Sequence, residues 1–227
     1  MRYADIFIHE VFHFRQVDLI RSVRKASDGR AAELLDHSKG GVCETLAIMW
    51  VAGVKNGWNG AQSLMDMKGK KADTNAGQAF WTQAFSQHFT AGETMSRYNE
   101  SVNNDPDLTA RDKQLKQLDR TDKYILKLQT FAQQPHARSV TLLGTSSANP
   151  DATFGLFREQ RTYIVDIGKL GKLISHTVAL DHGAAGYELF DPNFGLAPLS
   201  DDQALKAALG LMFEHYSTGH LMTYSAA

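Results

Sequence analysis

The chain has 227 residues, of which 43% are apolar and 22% charged, and its formal net charge at neutral pH is -1. This length suits one large domain or two small ones with a self-sufficient core, and the near-neutral charge predicts no attraction to nucleic acid or anionic lipid. The single cysteine, Cys43, excludes an internal disulfide and a cysteine zinc cluster.

The first residues and the apolar runs indicate how the chain relates to membranes. Residues 1–10 contain no apolar h-region and no small-residue cleavage site, so we predict no Sec signal peptide. The longest strongly apolar stretch, residues 46–54, is far shorter than the roughly 20 residues that span a bilayer. We therefore predict no integral membrane segment.

Helical patterns dominate the first 135 residues. Periodicity predicts helices over most of residues 1–39 and over residues 43–54, 61–67 and 75–89. Asp105 is a residue type that caps helices, and Pro106 suits a first helical position, so a long amphipathic helix is expected from there towards Pro135.

After Pro135 the pattern changes to period two. It predicts strands over residues 139–143, 161–167, 172–180, 187–190 and 220–224, while residues 149–160 fit either a helix or a strand. A capping-box pattern at residues 200–203 predicts a helix to about Tyr216. Helices followed by an antiparallel sheet are typical of the α+β class. We expect a single domain over residues 1–227, with a helical part over about 1–135 and a sheet part over about 136–227.

Cys43 follows Gly40, Gly41 and Val42 and stands at the entry to a predicted helix. Unpaired backbone N–H groups and the helix dipole at such a position favour the thiolate, which is the nucleophilic form of cysteine. The placement therefore indicates a catalytic nucleophile. A lone cysteine can also be a small buried hydrophobe, so the interpretation depends on finding its partners.

A thiolate nucleophile needs a base, and the base needs an orienting acceptor. His176 stands out because it lies inside an apolar predicted strand, where its ring must find a polar partner. Asp191 ends the next predicted strand, and Pro192 favours an extended conformation there. A symmetric hairpin about residues 181–186 would place His176 directly opposite Asp191 on one sheet face, with Cβ atoms roughly 4.5–5.5 Å apart.

Three short motifs occur in this order: Gly-Val-Cys at residues 41–43 with Leu46 and Trp50, His-Thr-Val-Ala-Leu at residues 176–180, and Phe-Asp-Pro-Asn-Phe-Gly at residues 190–195. Together they resemble the YopT/AvrPphB-type cysteine peptidases, which are bacterial effectors of the papain-like clan. The resemblance implies a papain-like fold, in which a helical lobe carrying Cys43 packs on an antiparallel sheet carrying His176 and Asp191. Residues 55–170 contain no matching motif, and we expect substrate choice to lie there.

The resemblance also implies a mechanism. Cys43 would attack a peptide bond and form a thioester acyl-enzyme, His176 would act as base and then acid, and Asp191 would orient the ring. The Cys43 backbone N–H would help bind the oxyanion, with Ser38, or else His37, as a second donor. No cofactor and no metal are expected. The implied partner is a protein in a target cell, and the implied route is a specialised secretion system that delivers this effector or toxin into the target-cell cytoplasm.

Three alternatives stay open. The same triad supports deamidation or acyl transfer, because both pass through an acyl-enzyme. The sequence His9-Glu10-Val-Phe-His13 satisfies the H-E-x-x-H pattern of zinc peptidases, with Glu10 as base, although no third ligand is marked by position. The third alternative is a catalytically idle interaction domain, in which Cys43 does not react with iodoacetamide at neutral pH.

Overall fold

The structure is a computed structural model that describes residues 1–7, 13–26, 33, 42–118, 121–131, 140–169 and 176–226. A 3-10 helix spans Tyr3–Phe7. Six α-helices follow within the described residues before position 132: α1 Gln16–Ala26, α2 Cys43–Lys55, α3 Gly60–Gly69, α4 Asn75–Asn104, α5 Ala110–Leu118 and α6 Thr121–Phe131. No helix among the described residues is long and apolar enough to cross a membrane.

Strands dominate the remainder. They are β1 Val140–Ser147, β2 Thr162–Lys169, β3 His176–Gly183, β4 Gly186–Asp191, β5 Gly195–Leu199 and β6 Thr218–Ala226. A short helix α7, Pro150–Phe154, with a 3-10 turn Gly155–Phe157, follows β1, and helix α8, Asp202–Tyr216, precedes β6. The six strands form one antiparallel sheet in the order β1-β6-β2-β3-β4-β5. The predicted α+β class is therefore confirmed, while the single-domain organisation stays a prediction.

The sheet is covered on both faces. One face packs against α2, where the rings of Trp50 and Phe190 stack with centroids 5.6 Å apart. The other face packs against α8 and the 3-10 helix Tyr3–Phe7. Because both faces are covered, the central strand β2 is buried at every residue except Lys169.

Helix α2 lies in the core and begins at Cys43, as predicted. It is buried from Cys43 to Gly53 and contacts β3, α3 and α6. A helix that is apolar on all sides belongs inside a protein, and the sequence of α2 has that character. The core therefore fixes the start of α2, and with it the position of the only thiol.

The prediction that a helix begins at Asp105 is wrong. Helix α4 continues to Asn104, and Asp105 follows its end, with Oδ1 accepting a hydrogen bond from the backbone N–H of Asp107 at 2.9 Å. Pro106 disfavours the helical conformation at the residue before it, so this dipeptide ends one helix instead of starting another. The next helix begins at Ala110, where the Thr109 hydroxyl accepts from the N–H of Asp112.

Two other segments complete the comparison with the predicted elements. Residues 150–157 are helical, because Asn149 caps α7 and Pro150 occupies its first turn. Strand β5 was not predicted. It contains Pro198, which is tolerated because β5 lies at the margin of the sheet.

Candidate active site

Cys43 is the first residue of α2, and only 8% of its surface is exposed. The preceding residue, Val42, has no side chain that can cap the helix. The thiol therefore stands at the positive end of the helix dipole, with backbone N–H groups of the first turn around it.

The alignment of β3 with β4 differs from the predicted one. Ala179 lies opposite Phe190, whereas the prediction required Thr177 there, so the prediction that His176 lies directly opposite Asp191 is wrong by two residues. The cause is a tight turn that closes between Gly183 and Gly186, where Gly186 adopts a positive φ of 117°. A shift by an even number of residues preserves the face, so the two side chains still meet as a diagonal pair.

His176 makes contacts on both sides of its ring. Its Nε2 lies 2.9 Å from Asp191 Oδ1, and both side chains are buried. Its other neighbour is the side chain of Cys43, which lies close enough to raise the pKa of the ring. Because Nε2 is engaged by Asp191, Nδ1 is the ring nitrogen left to interact with the thiol. The structure thus brings together the sulfur, imidazole and carboxylate that the sequence singled out.

The electrostatics of this trio favour a charged ring. Burial alone lowers the pKa of His176, but the Asp191 carboxylate and the hydrogen bonds to Asp191 and Cys43 outweigh it and raise the pKa to about 10. Burial alone raises the pKa of Asp191, but His176, the Asn193 N–H and the Tyr216 hydroxyl together hold it below its usual value. The imidazolium and the carboxylate therefore stabilise each other.

Asp191 has further partners that sequence reasoning missed. Tyr3 and Tyr216 both donate hydrogen bonds to its Oδ2, at 3.0 and 2.8 Å. The Tyr216 ring also stacks on His176, with centroids 4.5 Å apart. Tyr3 lies 188 residues before Asp191, so no local pattern indicated this contact. The predicted end of a helix at Tyr216 was the only signal near either tyrosine.

A second buried group lies beside the nucleophile. Glu44 accepts hydrogen bonds from Lys123, at 2.7 Å, and from Lys127, both on α6. Lys127 also donates to the Thr45 hydroxyl at 3.0 Å and to His88 Nδ1 at 3.2 Å. Burial lowers the pKa of Lys127 to about 8 and that of His88 to about 4, so at neutral pH the lysine is charged and the imidazole is neutral. This ion cluster, Glu44 with Lys123 and Lys127, ties α2 to α6.

The other candidate residues lie mostly outside the described part of the chain. This is true of Ser38, His37, His9 and Glu10. The oxyanion donor and the zinc-peptidase pattern therefore remain predictions. His13 is described; it is exposed and forms an isolated bridge with Gly195. Within the described residues, no three His, Cys, Asp or Glu side chains form a metal-binding group.

The sequence was compared with known protein families and with curated proteins. A sequence model of the peptidase family C58, described as the Yersinia/Haemophilus virulence surface antigen family, matches residues 21–223. The chain belongs to this C58 peptidase family. It is accordingly a cysteine protease of a virulence-effector family, and the predicted resemblance is confirmed. No curated protein sequence matched the chain.

The structure was also compared with solved structures, two of which are similar to it. The crystal structure of the Pseudomonas avirulence protein AvrPphB is similar, with a TM-score of 0.52 and 16% identity over 82% of this chain and 91% of that one. This likeness supports the papain-like α+β fold. PatoxP, a cysteine protease-like domain of the Photorhabdus asymbiotica toxin PaTox, matches with a TM-score of 0.30 and 13% identity over 93% of this chain and 87% of that one.

Proposed function

We propose that Cys43, His176 and Asp191 are the catalytic triad of this C58 protease. The observation that carries the proposal is the continuous contact from thiol to ring to carboxylate, which joins the start of α2 to the ends of two neighbouring strands. In this family a protein substrate is expected, and a cysteine protease needs such a relay to generate its nucleophile.

The contacts support a double-displacement mechanism. The imidazolium of His176 holds the proton that Cys43 has lost, and the thiolate attacks the carbonyl carbon of the scissile bond, forming a C–S bond. The imidazolium then protonates the amine as the C–N bond breaks, which leaves a thioester. Water attacks the thioester, gives its proton to His176, and the C–S bond breaks with return of the thiol. Asp191 keeps the ring oriented and stabilises its charged form throughout.

The developing oxyanion needs donors. The backbone N–H of Cys43 lies in the first turn of α2 and points out of the helix start, where it can bind negative charge on the substrate oxygen. Ser38 precedes the nucleophile by five residues and is proposed as the second donor. A Ser38→Ala variant with lower kcat and unchanged KM would support that role.

The substrate is proposed to be a protein inside a target cell, reached after export by a specialised secretion system. This follows from the virulence-effector family and from its relatives. The experiment that identifies the substrate is an N-terminomics comparison of target-cell lysate treated with wild type or with Cys43→Ala. New N-termini that appear only with wild type would identify the cleaved proteins.

Three variants test the triad on that substrate. We expect Cys43→Ala and His176→Gln each to lose cleavage by roughly three orders of magnitude or more, because nucleophile and base act as a unit. His182→Gln is the matched control, because His182 lies on the same strand but its Nδ1 lies 2.9 Å from the Phe157 carbonyl oxygen. Wild-type cleavage by Cys43→Ala would refute the triad. A Gln-to-Glu mass change or an added group on an uncut target would assign the triad to deamidation or acyl transfer.

A further inference from the structure

The carboxylate of Asp191 lies inside a complete shell of hydrogen-bond donors. Oδ1 accepts from His176 Nε2 at 2.9 Å and from the Asn193 N–H at 2.8 Å. Oδ2 accepts from the hydroxyls of Tyr3 and Tyr216 at 3.0 and 2.8 Å. A fully buried carboxylate is costly unless its oxygens are paired, so the two tyrosines satisfy the half of Asp191 that His176 leaves unsatisfied.

Both tyrosines are neutral donors. Burial and the adjacent Asp191 raise the pKa of Tyr3 well above its ordinary value, and the same two causes raise the pKa of Tyr216. An ionised carboxylate can only accept, so each hydroxyl donates a hydrogen bond to Asp191 and keeps its proton. Because these donors carry no charge, they satisfy Oδ2 without cancelling the negative charge that supports the imidazolium of His176.

Tyr216 contacts the base as well as the carboxylate. Its ring lies against the imidazole of His176, with an angle of 27° between the planes. Its hydroxyl accepts a hydrogen bond from Asn193 Nδ2 at 3.1 Å, and Asn193 Oδ1 in turn accepts from Gln16 Nε2 at 2.6 Å. A chain of hydrogen bonds from α1 therefore fixes the direction in which the Tyr216 hydroxyl donates.

We propose that Tyr216 is a positioning residue of the triad, and that Tyr3 shares its hold on Asp191. This inference rests on the proposed function of Cys43, His176 and Asp191. The Tyr216 ring fixes the plane of the imidazole so that Nδ1 faces the thiol. Its hydroxyl, together with that of Tyr3, keeps the carboxylate turned so that Oδ1 meets Nε2. The hydroxyls of both tyrosines act through Asp191, to which they donate.

Substitutions separate the two contacts of Tyr216. Tyr216→Phe keeps the ring and removes the hydroxyl, Tyr216→Leu removes both, and Tyr3→Phe removes the second donor. The matched control is Tyr187→Phe, because the Tyr187 hydroxyl also donates to a carboxylate, Asp202 Oδ1 at 2.7 Å, on the same side of the sheet. Melting temperatures of all four variants report any loss of folding.

The first measurement is the rate of Cys43 alkylation by iodoacetamide against pH, which needs no substrate and reports one thiol because the chain has one cysteine. The hydrogen bond from Tyr216 lowers the pKa of Asp191, so Tyr216→Phe should raise that pKa and move the acid limb of the profile to higher pH. The other groups facing Asp191 are His176, Tyr3 and the Asn193 N–H, with the His215 ring packed against both tyrosines. All of them are unchanged in this variant.

The second measurement is cleavage of the substrate identified by N-terminomics. We expect Tyr216→Phe to lower kcat about tenfold or more with KM unchanged, Tyr3→Phe to have a similar or smaller effect, and Tyr216→Leu to have a larger one. Tyr187→Phe should match wild type in both measurements. Two results would refute the positioning role. In one, Tyr216→Phe lowers the melting temperature but changes neither kcat nor the pH profile; in the other, its kcat and pH profile equal those of the control Tyr187→Phe. Failure of the triad itself would show separately, as full cleavage by Cys43→Ala.

Discussion

The two halves of the proposed site satisfy a buried carboxylate in opposite ways. On the sheet side, Asp191 is held by neutral hydroxyls, a backbone N–H and the ring of His176. On the helix side, Glu44 is held by the ammonium groups of Lys123 and Lys127. The lysines neutralise Glu44, whereas the tyrosines leave the charge of Asp191 available to the imidazole. The tyrosine arrangement around Asp191 suits a catalytic carboxylate, and the lysine arrangement around Glu44 suits a structural one.

Replacement of the sheet-side carboxylate tests this comparison most severely. Asp191→Ala should lower kcat by about three to four orders of magnitude, because the ring of His176 loses its orienting acceptor and two buried hydroxyls lose theirs. Asp202→Ala is the control, since it also removes a carboxylate that accepts from a tyrosine. A fall in kcat of similar size for both variants would contradict a special role for Asp191.

Replacement of the helix-side carboxylate should act on stability instead. Glu44→Ala leaves Lys123 and Lys127 buried without a counter-charge and should lower the free energy of unfolding by about 3–5 kcal/mol. Urea denaturation measures this. Asp66→Ala is the control, because Asp66 pairs with Lys70 at the surface and should cost about 1 kcal/mol or less. Equal effects of the two substitutions would show that Glu44 is not the counter-charge of a buried cluster.

The pH dependence of stability sharpens the comparison further. The pKa of His176 is raised to about 10. The charged ring therefore makes its full contribution to the free energy of unfolding below about pH 6.5, and this contribution is lost as pH rises through 10. In a Cys43→Ala background, which also removes the contribution of Cys43 to the raised pKa of His176, stability should fall with a slope of up to roughly 1.4 kcal/mol per pH unit, over a window that ends below pH 10. Asp191→Asn should flatten that slope. An unchanged slope would show that Asp191 does not hold the proton on His176.

The smallest expected effect concerns the end of α8. Ser217 adopts a left-handed conformation, with φ of 49°, immediately after Tyr216. Ser217→Gly should stabilise the protein by about 1 kcal/mol or less and leave kcat unchanged, because glycine adopts this conformation without steric cost. Ser217→Ala is the control that keeps the strain. If Ser217→Gly lowered kcat, the helix end would be shown to move Tyr216 away from His176.

The sequence predicted those parts of the site that depend on local pattern. Cys43 at a helix start follows from two glycines before an apolar run, and the shared face of His176 and Asp191 follows from strand periodicity. The exact pairing of the strands did not follow, because the centre of the turn lies between Ala184 and Ala185, one residue later than the symmetric hairpin required, which shifts the pairing by two residues. The side chains of His176 and Asp191 still meet, because the strand pairing shifts by an even number of residues and both side chains stay on the same face of the sheet.

The remaining features depend on contacts between distant parts of the chain. Tyr3 reaches Asp191 across 188 residues, and Lys123 reaches Glu44 across 79. The local sequence around Tyr3 and Lys123 does not differ from that of an ordinary core or surface residue. Periodicity therefore does not distinguish either residue. Such partners become visible only when the fold brings the elements together.

The margin of the sheet at β5 carries a consequence for self-association. His13 bridges to Gly195, and the backbone N–H groups of Phe14 and Gln16 donate to the carbonyls of Phe194 and Pro192. Pro198, in the same strand, has no N–H to offer. An extended segment of a foreign chain therefore finds the Gly195 end of this margin already paired with the protein's own backbone. Templated growth of the sheet, the usual hazard of an open strand, is blocked on the side nearest Asp191.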